Sequence, residues 1–198
     1  MAEKERNFSL GPEGWCSYEY HASIVAGQNI FILTTFARSG GIGDGGYVWA
    51  DHTRWSADTP EKPISILPLI RYQSWIGEGP IDLRGAELGV SLRGDGLQLN
   101  GAACYFWVHI GGTRWHCSGH PIEIGVDHWP EAPTRFAIPN DEALWYHSWS
   151  SDSENVASLD QVLASAESYG FSFVGFGSEV SGRLSLGFFE LNLDGAAR

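Results

Sequence analysis

An all-β sandwich of two packed antiparallel sheets is the fold class this sequence predicts, with one short helix near residues 158–169. Three observations point there. Short apolar and aromatic runs recur between clusters of Gly, Pro, Asn and Asp, the pattern of strands joined by turns. The composition holds 25 glycines and 9 tryptophans against one methionine, which suits tight turns and pleated surfaces rather than long helices. Strand-like and helix-like segments do not alternate along the chain, so a parallel α/β sheet is disfavoured.

The strand-like runs fall at 23–25, 30–36, 47–49, 64–75, 87–93, 102–110, 113–118, 134–138, 171–177 and 184–193. A single sandwich domain spanning 1–198 accommodates them, with residues 1–12 expected to form a flexible N-terminal segment. The glycine-rich stretch 37–46 runs straight into the strand-like Tyr47-Val48-Trp49. A phosphate cradle would instead open a helix there, so a flexible loop is expected. One helix carries its own punctuation. Ser158 caps it and Gln161 completes a capping box. Leu159, Val162, Leu163 and Ala166 follow at helical spacing, and Gly170 is the expected stop.

Charge excludes whole classes of partner. The formal net charge is −12, and no stretch is rich in Lys or Arg. Nucleic-acid binders need a basic footprint, and attraction to an anionic membrane surface is disfavoured for the same reason. No run approaches the ~18 apolar residues of a membrane helix. Cys16, Cys104 and Cys117 form neither an even framework nor a CxxC pair. With a polar N-terminus lacking an apolar signal core, the chain reads as a cytoplasmic protein with reduced thiols. The expected partner is a carbohydrate or small molecule, with neither nucleic acid nor membrane.

The informative segment is Ala102-Ala103-Cys104-Tyr105-Phe106-Trp107-Val108-His109-Ile110. Alternate strand residues point to opposite faces. Cys104, Phe106 and Val108 belong to a core side. Tyr105, Trp107 and His109 are rings with polar handles on the other side. Gly111-Gly112 turns the chain into a hairpin, and the return strand brings Arg114 and His116 to that second face. In the run 64–75, Leu69, Arg71, Gln73 and Trp75 form a comparable amphipathic set, read here as part of the same ligand surface. Tyr47 and Trp49, one side of a short strand, line its rim. Aromatic walls with a few fixed polar groups are the composition of a ligand site, and such rings also serve as rim and second-layer packing. Trp145 to Trp149 is expected to cap an open end of the sandwich.

Chemistry is harder to place. His109, His116 and His120 are candidate metal ligands across the hairpin, but zinc wants three or four converging ligands and no His-x-His pair occurs, so no metal and no cofactor are expected. Asp44, Asp51, Asp58, Asp152 and Glu154 in acidic loops offer oxygens for a structural calcium, without EF-hand spacing. Glycoside hydrolysis needs paired carboxylates, whereas Glu123 and Glu190 stand alone. If the chain were an enzyme, a cyclase or isomerase on a small apolar metabolite, or one active on glycans, His109, His116 and Glu190 would be its acid–base candidates. Alternatively, the aromatics would form a structural, partner-binding face.

The stretch Tyr169-Gly170-Phe171-Ser172-Phe173-Val174-Gly175-Phe176, followed by Ser181-Gly182-Arg183-Leu184-Ser185-Leu186-Gly187-Phe188-Phe189-Glu190-Leu191, resembles the closing hairpin of jelly-roll domains of the concanavalin A-like lectin/glucanase class and of sandwich carbohydrate-binding modules. That resemblance implies an antiparallel two-sheet jelly-roll and lectin-like, non-catalytic binding of a neutral carbohydrate. It does not imply an activity. Those modules often carry an Asp of a structural calcium site where this chain has Gly187, which argues against that site here.

Overall fold

A computed structural model of the chain describes residues 4–6, 8–18, 26–27, 30–57 and 64–193. The predicted run 23–25 lies outside the described residues. The N-terminal half contributes β1 (Lys4–Arg6), β2 (Trp15–Tyr18), β3 (Phe31–Leu33), β4 (Thr35–Ala37), β5 (Tyr47–Asp51), β6 (Ser56–Ala57), β7 (Ser65–Tyr72) and β8 (Glu87–Gln98). Then come β9 (Ala103–Ile110), β10 (Thr113–Ile122), β11 (Ile124–Val126), β12 (Thr134–Ala137) and β13 (Tyr146–Ser150). Helix α1 (Leu159–Ala164), β14 (Ser168–Val174) and β15 (Ser181–Asn192) complete the chain.

Two sheets pack face to face as a sandwich. One has seven strands, in the order β11-β8-β15-β5-β4, with β1 on β15 and β12 on β8. The other has eight, in the order β13-β10-β9-β14-β7-β2-β3, with β6 on β7. Pairing is antiparallel except between β11 and β8. Alternation builds the core between them. Leu88, Val90 and Leu92 of β8 meet Cys104, Phe106 and Val108 of β9, together with Phe171 and Phe173 of β14 and Leu184, Leu186 and Phe189 of β15. Trp15 stacks on Phe171 at 5.6 Å and meets Phe189 edge-on at 5.0 Å, tying one sheet to the other. Each such fully buried side chain is worth about 1.5–3 kcal/mol of transfer free energy.

Several expectations need correction. Of the segment 1–12, the described residues Lys4–Arg6 pair with β15 and Phe8 is fully buried in the core. The run 30–36 is not one strand, because it breaks at Thr34 and delivers β3 to one sheet and β4 to the other. Thr34 fixes that corner by donating both its N–H and its hydroxyl to Trp15 O. Helix α1 starts at the predicted capping box, with Leu159, Val162 and Leu163 buried, but it ends at Ala164. Ala166 is drawn out of it by a reciprocal backbone bridge with Ile81, and Glu167 N–H donates to His109 O. Gly170 therefore belongs to β14, not to a helix end. The glycine-rich stretch is a hydrogen-bonded tight turn, in which Gly41 N–H donates to Gly45 O and Gly40 N–H to Asp44 Oδ1.

All three cysteines are free and buried, and burial pushes the thiols of Cys16 and Cys117 up to about 12. At Gly187 an added Cβ would sit 2.8 Å from the Trp129 ring. Among the described residues no helix is long and apolar enough to cross a membrane.

Candidate functional site

The outer face of the eight-stranded sheet is built by strand register. On β9, Tyr105, Trp107 and His109 point away from the main core. Arg114 of β10 lies opposite His109, and His116 opposite Trp107. On the other side, Ser168, Gly170 and Ser172 of β14 lie opposite His109, Trp107 and Tyr105. The neighbouring β7 adds Tyr72 opposite Ser168 and Ile70 opposite Gly170. At the edge, β13 adds Trp149 opposite Arg114 and Tyr146 opposite His116.

Trp107 is the floor of this face. Its indole lies across Gly170, where an added Cβ would be 2.9 Å from Trp107 Cζ2, and Nε1 donates to Phe171 O at 3.0 Å. It is only 3% exposed, yet it is not part of the main core. A separate outer cluster holds it with Cys16, Leu67 and Ile70, flanked by Phe31 and Tyr72. Above the floor, the Arg114 guanidinium lies 5.5 Å from the Trp107 ring centre and 5.4 Å from that of Trp149, the geometry of a cation–π contact. His109 stacks on Trp149 at 6.3 Å and pairs through Nδ1 with Ser168 Oγ at 3.2 Å. His116 is fully buried. Its Nδ1 lies 3.0 Å from Ser172 Oγ and 3.2 Å from Tyr146 Oη, while Nε2 has no hydrogen-bond partner.

Electrostatics keeps both rings neutral at neutral pH. Burial, reinforced by the Arg114 charge, lowers His109 to about 4 and holds His116 well below the usual histidine range. Burial also raises the Tyr72 phenol, against the lowering effect of its hydrogen bond with Ser168. Tyr72, Tyr105, His109, Tyr146 and Trp149 remain half-buried, so their outer surfaces are open to solvent. Trp75, 45% exposed, reaches the same neighbourhood from the turn Ser74–Ile76 and packs on Phe31 at 5.0 Å.

The other expected members lie elsewhere. Arg71 and Gln73 face inward, not onto the sheet surface. Arg71 lies opposite Trp15 and Tyr169 in register. It donates to Gln73 Oε1 at 2.9 Å, Tyr169 Oη at 2.7 Å and Glu13 O at 3.1 Å, with Glu78 at 3.7 Å. A buried guanidinium needs such a shell, and that shell exists only on the core side of β7. Tyr47 and Trp49 occupy the outer face of the opposite, seven-stranded sheet. There Arg93 lies 5.0 Å from Tyr47 and 4.6 Å from Trp129, and Arg183 lies 4.8 Å from Trp49.

Glu190 is also on the seven-stranded sheet, ion-paired with Arg135. The acid–base trio His109, His116 and Glu190 is therefore divided between two sheets. His120 stacks on Phe136 at 4.6 Å, and among the described residues no three His, Cys, Asp or Glu side chains converge to hold a metal. Asp44, Asp51 and Asp152 accept hydrogen bonds from their own turns; Asp58 lies outside the described residues. Residues not foreseen as members of the face are Tyr72, Tyr146, Trp149, Ser168, Gly170 and Ser172. The alternation of Ile70 with Tyr72 was a signal for the first of them.

No family model matches the chain, and no curated protein matches it. Among solved structures it is similar to a family 11 carbohydrate-binding module from Clostridium thermocellum in complex with a β-1,3-1,4-mixed-linked tetrasaccharide. That likeness has a TM-score of 0.48 at 11% identity, covering 96% of this chain and 95% of the other. A solution structure of CtCBM11 is similar with a TM-score of 0.45 at 10% identity, over 97% and 95% of the two chains.

Proposed function

We propose that the outer face of the eight-stranded sheet binds a neutral carbohydrate without chemically altering it. One observation carries this reading: Arg114 lies against both Trp107 and Trp149 in the middle of a face whose rings are half open and whose histidines are uncharged. A pyranose has apolar C–H faces and an equatorial belt of hydroxyls. The rings of Trp149, Tyr105 and Tyr72 offer surfaces for the first. His109 and the tyrosine hydroxyls, above the buried Arg114, offer hydrogen bonds to the second. The net charge of −12 disfavours an anionic ligand. An enzymatic reading has less support, because the two neutral histidines share the face with Arg114 while Glu190 sits on the other sheet beside Arg135.

The test is a glycan array followed by fluorescence titration of the best sugar with three proteins: the unaltered chain, Trp149→Ala and Trp49→Ala. Loss of an aromatic anchor at the centre of a contact costs about 2 kcal/mol or more, which is about thirtyfold in affinity. Trp149→Ala should show that loss, and Trp49→Ala, on the opposite sheet, should bind like the unaltered chain. A larger effect of Trp49→Ala, or no sugar bound on the array, would overturn the proposal.

A further inference from the structure

A second concavity opens at one end of the sandwich, displaced along the strands from the aromatic face. Ile66 on its wall pairs with Phe173, whereas the floor of the face is at the Ile70–Gly170 pair. The cleft has a volume of about 480 Å³, within the ~300–1,000 Å³ usual for small-molecule sites. Its apolar walls are Trp55, Ile66, Phe176 and Val180, with His52 and Ser178 also in the lining. Trp55 is a fixed wall, not a flap: its Nε1 donates to Ala50 O at 3.2 Å, and its ring meets Phe173 edge-on at 5.2 Å. Ser56 also lines the cleft. It is 4% exposed, and its hydroxyl has no hydrogen-bond partner. Glu179 stands at the exposed rim.

We propose that this cleft is a binding site, independent of the sheet face, for an uncharged ring-bearing small molecule with one hydroxyl. The ring packs against Trp55 and Phe176, and the hydroxyl meets Ser56 Oγ. An unpartnered buried hydroxyl is costly, and a ligand hydroxyl removes that cost. An anion is opposed by Glu179 and by the overall negative charge.

The probe is phenol, with toluene and benzoate as controls, added to full-length chain labelled with ¹⁵N at its indoles. The Trp55 N–H resonance, assigned through Trp55→Phe, should move saturably with phenol at a dissociation constant on the order of millimolar. The resonances of Trp107 and Trp149 should stay in place, as they report the sheet face. Ser56→Ala should weaken phenol about fivefold and leave toluene unchanged. Ala57→Phe, which fills the cleft, should abolish the Trp55 shift. The proposal is overturned if phenol does not move Trp55, if benzoate moves it equally, or if the phenol response is unaltered in Ser56→Ala. That last variant removes one oxygen and decides the matter even if Ala57→Phe does not fold. Since sugar probes report on Trp107 and Trp149, failure here leaves the carbohydrate reading untouched, and the reverse also holds.

Discussion

Gly170→Ala tests the floor of the aromatic face with a single methyl group. In the folded chain that methyl would sit 2.1 Å from Leu69 O, 2.9 Å from Trp107 Cζ2 and 3.1 Å from Ile70 Cα. Two of these atoms are backbone of the adjacent strand β7 and cannot swing aside. Either the β7–β14 pairing opens locally or the indole lifts. Overpacking of this kind costs about 1–3 kcal/mol. Lifting the indole also breaks the Trp107–Phe171 hydrogen bond, worth about 1 kcal/mol net. The expected loss is therefore about 2–4 kcal/mol. For a chain of this length that is a fall in melting temperature of roughly 4–16 °C, at about 2–4 °C per kcal/mol. Gly79→Ala is the matched control, because its Cβ would meet nothing within 4 Å; its stability should stay within about 0.5 kcal/mol of the parent. Thermal and urea unfolding followed by circular dichroism measure both. If Gly170→Ala unfolds like Gly79→Ala, the indole does not lie across position 170 and the face has no such floor.

Stability should also depend on pH through the two buried histidines. His109 at about 4 and His116, well below its ordinary 6.5, take up protons in the unfolded chain before they do in the folded one. Stability is thus complete above about pH 6.5 and lost as pH falls towards 4, at up to about 1.4 kcal/mol per pH unit for each ring. The urea midpoint should drop between pH 7.5 and 5.0, and His109→Asn should reduce that drop; a flat profile would refute the assignment. Gly187→Asp should displace the Trp129 ring and lower stability by about 1–3 kcal/mol. Added calcium should not restore the midpoint, and recovery with calcium would show that the indole yields to a metal site.

The aromatic face was legible wherever the two sides of a strand contrast. On β9 the sets Cys104, Phe106, Val108 and Tyr105, Trp107, His109 differ enough that a period of two assigns them, and the Gly111-Gly112 turn carries the parity across to Arg114 and His116. On β7 the contrast is missing. Leu69, Arg71 and Gln73 alternate with Ile70 and Tyr72, and polarity alone favours the wrong set. What decides the matter is the shell of Gln73, Glu78, Tyr169 and Glu13 around Arg71, of which the last two come from distant parts of the chain. Tyr47 and Trp49 alternate cleanly too, but alternation does not say which sheet a strand joins. Gly170 shows the same limit: a glycine after a helical pattern signals a stop locally, while its actual use is to admit an indole from sequence position 107.

Both outer faces stack arginine on aromatic rings, and their charge environments separate them. On the seven-stranded sheet, Arg93 and Arg183 share Asp95, at 3.1 and 2.9 Å, so one carboxylate ties together the cations that lie over Tyr47, Trp129 and Trp49. On the eight-stranded sheet, Arg114 sits beside two histidines, and its own charge helps hold both neutral. A neutral imidazole can donate at one nitrogen and accept at the other, which is the versatility that the hydroxyls of an uncharged ligand require. The same cation that lies over Trp107 and Trp149 thereby adds to burial in keeping His109 and His116 uncharged. This is the physical reason for placing the ligand on that sheet and not on its equally aromatic opposite.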